Sequence, residues 1–171
     1  MNDPTIQLLV TEGAKKSLAA DQAGFPCLGL TGVFAWKLKN HERLLPDLEL
    51  IEWKGRPVKI VFDSDAAETE NVADAECRLA AQLQNRGAIV KVVRLPSGPG
   101  GAKVGLDDFR VAHGAPARHQ LLDDATEPDT VDSGTDKADA KSIDSMLEAR
   151  RMLAATATHK EGREEWHKLH A

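Results

Sequence analysis

Two aspartates one residue apart, Asp63 and Asp65, close the stretch VKIVFDSD at residues 58–65. The apolar run before them reads as a buried strand, and the carboxyl ends of strands in open parallel sheets are where such sheets bind ligands. Acidic residues fall at comparable places twice more: Glu12 after an apolar run at residues 6–10, and Asp107 with Asp108 after a fourth run and a loop. If all these runs are parallel strands, the acids share one sheet edge. Hard carboxylate oxygens suit Mg2+, with Mn2+ as a related choice; Mg2+ usually takes one or two carboxylates and completes its shell with water and substrate phosphate oxygens. Such an ion polarises a phosphoryl oxygen and lowers the pKa of an attacking group. Lys15 and Lys16 follow Glu12 and Lys103 precedes Asp107, so each stands where an ammonium would meet a phosphate or a nucleic-acid backbone. Metal-assisted phosphoryl or nucleotidyl transfer is the expected chemistry, with Glu12, Asp63 and Asp65 as catalytic candidates.

Other roles compete for these residues. Acids after strands also form turns and cap helices, and for Asp107 and Asp108 a helix-start role stands beside the ligand role. A P-loop needs GxxxxGK[ST]; Gly13-Ala14-Lys15-Lys16-Ser17 imitates only its end. Haloacid-dehalogenase phosphatases also place DxD after a strand, usually the first, whereas here it follows the third. The six histidines are scattered, without the spacing of a metal helix or a nucleophile–His–Asp order.

The elements that must position these groups follow from patterning. Residues 6–10 (IQLLV), 26–30 (PCLGL), 58–62 and 89–95 (IVKVVRL) read as strands. Residues 15–23 have helical composition, with Gly24 placed to end the helix. Residues 43–53 carry Leu44, Leu48 and Ile51 near helical spacing, with Pro46 close to the start. Residues 72–86 form the clearest helix: Val72, Ala75, Leu79, Ala80 and Leu83 make one stripe, Asn71 is a candidate N-cap and Gly87 a candidate terminator. Residues 96–105 are a Gly/Pro loop, and a short helix from Leu106 is expected to end near Gly114. The alternation of strands and helices predicts an α/β domain with a mainly parallel four-stranded sheet flanked by helices. That domain is expected over residues 1–114, an acidic linker over 115–141, and a helical segment over 142–171.

Composition narrows the class. A chain of 171 residues with 42% hydrophobic content can bury one core. Net charge is −5 and there is no Tyr, which argues against a general nucleic-acid-coating surface or an aromatic base-stacking platform. Cys27 and Cys77 have no ligand-like spacing and are expected to be reduced. No apolar run reaches spanning length, and the N-terminal residues lack the basic start of a signal peptide. A cytoplasmic protein without membrane contact is expected.

The segments VTEGAKKSLAADQAGFPCLGLTGV, VKIVFDSDA, VADAECRLAAQLQNRGAIVKVVRLP and KVGLDDF together resemble the Toprim-like domain of phage and plasmid primase–helicase replication proteins. The resemblance covers about residues 6–114. It implies a Toprim-like fold, Mg2+ binding, and cleavage, joining or synthesis of phosphodiester bonds in nucleic acid, DNA above all, during mobile-element replication. It passes the acidic site to Glu12, Asp63 and Asp65, with the glutamate in general acid/base work and Asp107 or Asp108 as a further acid. Primases of that group favour Gly between the two aspartates, where Ser64 stands here, and an aspartate where Lys16 stands. Those positions motivate a second expectation: a non-catalytic module that docks a replicative helicase or polymerase, with the C-terminal helix as its handle.

Overall fold

The computed structural model describes residues 3–39, 41–66 and 69–129. The helical segment expected over 142–171, and the part of the expected linker beyond residue 129, lie outside these. The described residues form an α/β domain whose four strands, β1 (Leu8–Glu12), β2 (Cys27–Leu30), β3 (Pro57–Val61) and β4 (Ile89–Val92), pair in parallel in the order β2-β1-β3-β4. This is the arrangement expected of a Toprim-like fold. α1 (Ala14–Gln22) crosses from β1 to β2, and α3 (Glu70–Gln84) from β3 to β4. The two crossovers travel outward in opposite directions from the central pair β1/β3.

Period-two alternation assigns each face its own core. Leu8 and Val10, Val58 and Ile60, Val90 and Val92 join Leu79, Ala80 and Leu83 of α3, together with Trp36, Leu44 and Trp53. Leu9 and Val61, with Val93 and Leu95 beyond β4, face the other way and meet Ala20 of α1 and Leu106, Phe109 and Leu122 of α4 (Leu106–Asp123). Helices on opposite faces therefore cover the sheet on both sides, which is why its strands read as near-continuous apolar runs.

Several boundaries differ from the sequence expectation. β1 runs two residues later than residues 6–10, so Glu12 ends the strand instead of following it. The helix expected over 43–53 shrinks to α2 (Pro46–Glu49), because Leu44 and Trp53 are drawn into the core from non-helical chain on either side. α3 starts after Thr69 rather than Asn71, and β4 stops at Val92. The largest difference is α4. It turns sharply at Gly114, where φ is 79° and ψ −179°, and resumes with Pro116 in the first turn beyond, a position proline favours. Residues 115–123 are thus helix where a linker was expected, held by Leu122 against the sheet. Beyond them Thr126 exchanges backbone hydrogen bonds with Val92 at 2.7 and 2.9 Å, closing the outer edge of β4 at its last residue.

Candidate active site

The neighbouring strands β1 and β3 connect outward in opposite directions, so their carboxyl ends flank a topological switch point, the crevice where open α/β sheets bind ligands. Thr11 pairs with Val61 across it, which sets Glu12 at the end of β1 beside the turn that carries Asp63 and Asp65. Gly13 makes the exit from β1 possible. Its φ of 95° is left-handed backbone that a side chain would strain, its amide donates to the Leu30 carbonyl at 2.7 Å, and its carbonyl accepts the Ser17 amide inside α1 at 3.2 Å. α1 then starts directly over the crevice with Lys15 and Lys16 in its first turn.

Asp63 is 7% exposed, and it does not stand alone. Lys16 Nζ donates to its Oδ1, while Lys103 Nζ lies 3.1 Å from its Oδ2 and 3.1 Å from Oδ2 of Asp65. One ammonium thus bridges both aspartates. These contacts, the hydrogen bond to Asp65 first and desolvation working against them, raise the pKa of Lys103 and keep it charged. Lys103 is held there by the residue between the aspartates: Ser64 donates its amide to the Val104 carbonyl at 2.9 Å, and its hydroxyl accepts the Val104 amide at 2.9 Å. The DxD turn and the Gly/Pro loop are stitched together at that point.

The remaining sequence candidates are distributed around this pair. Glu12 is half-buried, and its carboxylate makes no hydrogen bond or ion pair with the described residues. Lys15 is exposed and points to no described partner. Asp108 accepts the Gly105 amide at 3.1 Å, so it caps the start of α4, where the helix dipole also favours an acid. Asp107 instead lines a cleft between α1 and α4, its Oδ1 buried without a hydrogen-bond partner. Asp63 and Asp65 thus share one cation, while Asp108 serves the start of α4 and Asp107 lines the cleft. Among the described residues no three His, Cys, Asp or Glu side chains are grouped to hold a metal. What the fold brings together is the Asp63/Asp65 pair with two lysines, Lys16 and Lys103.

Sequence reasoning missed two residues near this edge. Arg118, 4% exposed, and Arg110 line the same cleft as Asp107 and Lys16. Arg118 fell in the segment taken for linker. Its signal was the apolar spacing of Phe109, Ala117, Leu121 and Leu122, which continues a helical stripe across the Gly114-Ala115-Pro116 break.

Among the described residues no helix is long and apolar enough to cross a membrane. Comparison with known proteins adds two findings. The chain is 31% identical over 128 residues to an uncharacterized protein of Picosynechococcus sp. (strain ATCC 27264 / PCC 7002 / PR-6), a match that covers 68% of this chain and 12% of that protein. The chain thus spans about an eighth of the length of the relative it matches. Residues 1–117, which carry β1 to β4, the aspartate pair and the start of α4, match a family model, and the chain belongs to that family, described as Domain of unknown function (DUF3854).

Proposed function

We propose that this domain performs Mg2+-dependent phosphodiester chemistry on nucleic acid, with Mn2+ as a substitute, as a Toprim-type domain of a phage or plasmid replication protein acting on DNA in the cytoplasm. The observation that supports it most is the bridging of Asp63 and Asp65 by a single cation at the switch point, Lys103 Nζ at 3.1 Å from each. An ammonium there is a stand-in: two hard carboxylate oxygens converge on one small positive charge, the donor set that Mg2+ prefers. Lys103 is 55% exposed and sits beyond a loop of three glycines, so it is free to swing aside. Asp63 and Asp65 would hold one such ion.

When bound, the ion would supply Lewis-acid polarisation of a phosphoryl oxygen. The chain's own residues do the rest. Asp63 and Asp65 would hold the ion; Lys16, anchored on Asp63, would meet a non-bridging phosphate oxygen, and Lys15 and Lys103 would neutralise neighbouring phosphates. Glu12, without a side-chain partner among the described residues, is available to take or give the proton of the attacking or leaving hydroxyl.

A second reading is a non-catalytic module that docks a helicase or polymerase. It is favoured by the same lysines: two ammonium groups already offset both carboxylates, so the turn is electrostatically satisfied without metal. Mn2+ titration of the purified chain, with nicking and primer-synthesis assays on DNA, separates the two. The catalytic reading expects Asp63→Asn to abolish metal binding and turnover, and Glu12→Gln to abolish turnover while metal affinity stays within about twofold. Metal affinity unchanged by Asp63→Asn, or no turnover under any condition that saturates the metal, would leave the docking module.

A further inference from the structure

The cleft between α1 and α4 reaches the aspartate turn through Lys16, and its other lining residues take no part in the proposed chemistry. Leu9, Phe25 and Leu106 form its apolar floor, and Lys16, Asp107, Arg110 and Arg118 are its charged lining. Arg118 is the anomaly. It is buried to 4% exposure, its guanidinium stacks 4.6 Å from the centre of the Phe25 ring, and its Nε and Nη1 have no hydrogen-bond partner. Arginine retains its charge in proteins and is costly to bury without an acceptor. Burial first, and then the charge of Arg110, draw its pKa below the usual arginine value, the direction that an anion bound at this place would reverse.

The charge count shows what is missing. Lys16 is already committed to Asp63. That leaves two guanidinium groups, Arg110 and Arg118, against the one carboxylate of Asp107, and the Asp107 oxygen that is buried there is unpaired. A trapped water would satisfy hydrogen bonds and leave the excess positive charge untouched. An anionic oxygen accepts from the open Arg118 nitrogens and offsets that charge; the Asp107 oxygen, itself an acceptor, gains nothing from it. The enclosed space is about 10 Å³, room for one water-sized group, so a whole ligand is not swallowed; a single oxygen enters while the rest of the anion stays at the open mouth. A phosphodiester presents oxygens in that way, and Lys16 makes the cleft continuous with the aspartate pair.

We infer that the α1/α4 cleft is an anchoring site for one backbone phosphate of the nucleic acid, taken by Arg118 with Arg110 at the rim. This rests on the nucleic-acid reading above and adds to it the path of the strand, from Arg118 past Lys16 to Asp63. Arg118 is a binding residue in this account and touches no reacting bond.

The test uses the full chain. A fluorescent single-stranded oligonucleotide is titrated at several salt concentrations against wild type and Arg118→Gln, without divalent metal. Loss of one phosphate contact is expected to weaken binding about tenfold and to reduce the slope of log affinity against log salt by about 0.7. In parallel, the Arg118 Nε resonance of ¹⁵N-labelled wild type is followed with the oligonucleotide and with inorganic phosphate at matched ionic strength, so that the result does not depend on the variant folding. A shift with the oligonucleotide at concentrations where phosphate gives none supports the inference. An equal response to inorganic phosphate with an unchanged salt slope would make the cleft a free-phosphate site and overturn the backbone assignment. No shift with either ligand would leave the cleft to water and overturn the inference entirely. Oligonucleotide binding by wild type that Arg118→Gln leaves intact in affinity and slope sinks this anchor and leaves the proposed function standing. Absence of oligonucleotide binding altogether sinks both.

Discussion

Ser64 and Val104 exchange two hydrogen bonds, amide to carbonyl and amide to hydroxyl, each 2.9 Å long. This pairing spans 40 residues of sequence and carries Lys103 to within 3.1 Å of both Asp63 and Asp65. The serine between the aspartates is therefore the hook that delivers a lysine to them. A glycine in its place would keep the backbone bond and lose the one to the hydroxyl.

Lys103 and a divalent ion compete for the same oxygens. Lys103→Met should tighten Mn2+ binding, and Ser64→Gly should do so more weakly, by loosening the loop that holds the ammonium. Because Lys103 is more than half exposed, its ion pairs are worth on the order of 1 kcal/mol, equivalent to about a fivefold gain in affinity for the methionine variant. Calorimetric or spin-resonance titration with Mn2+ measures it. A loss of affinity in Lys103→Met would mean that the lysine helps to bind the metal and does not exclude it.

Glu76 is 1% exposed on α3 and accepts a hydrogen bond from Arg94 Nη1 at 2.6 Å. Burial raises its pKa and Arg94 opposes that rise. A carboxyl whose folded pKa lies above its unfolded value holds a proton preferentially in the fold, so stability falls as pH rises above about 4.5 through the raised value. Arg94→Ala removes the opposing charge and widens that window. It should cost roughly 1–3 kcal/mol at neutral pH, below the usual figure for breaking a buried pair because Arg94 is partly exposed. The deficit should shrink as pH is lowered towards 4.5, which urea melts across that range would reveal. A deficit that grows on acidification would contradict the assignment.

The two cysteines are free, and burial pushes the Cys27 thiol up to about 12. Only about one part in ten thousand is then thiolate at pH 8, and the thiolate is the reactive form. Iodoacetamide should leave Cys27 unmodified in the native protein at pH 8, and alkylation should accelerate about tenfold per pH unit above that until the fold is lost. Peptide mass mapping against pH provides the readout. Equal labelling of Cys27 in native and urea-unfolded protein at pH 8 would show that the thiol is not protected.

Leu122 is 2% exposed and belongs to the core between α4 and the sheet. Leu122→Ala should lower stability by about 2–4 kcal/mol, the usual cost of a buried leucine truncation, as measured by chemical denaturation. A substitution in an unstructured linker would cost nothing measurable.

The sequence was most legible where one rule acts alone. The strands expected at residues 58–62 and 89–95 and the stripe of α3 follow from periodicity, and each is present, the strands with shifted ends. Legibility failed where tertiary contacts override local rules. Leu44 and Trp53 were counted towards one helix, yet they enter the core from opposite sides of a four-residue α2. Gly114 read as the end of a helix, while Phe109 and Leu122 on either side pack into one cluster and hold α4 together across the kink. At the site, strand order placed Glu12 and the aspartates at one edge. Spacing carried no information on which lysines would reach those aspartates, because the Ser64–Val104 stitch joins segments 40 residues apart.

The hydrogen bonds between Val92 and Thr126 separate the unit that is matched from the unit that folds. The family match stops at residue 117, whereas the compact unit extends over Met1–Ser133. A protein cut at residue 117 would lack Leu122 and Ala125 from its core and would open the Val92–Thr126 bridge at the outer edge of β4, freeing an amide and a carbonyl as a template for another chain's strand. Such a fragment should self-associate where one ending past Asp129 stays monodisperse. The last turn of α4 and the residues after it thus act as a selvedge, finishing a sheet that would otherwise unravel into its neighbours.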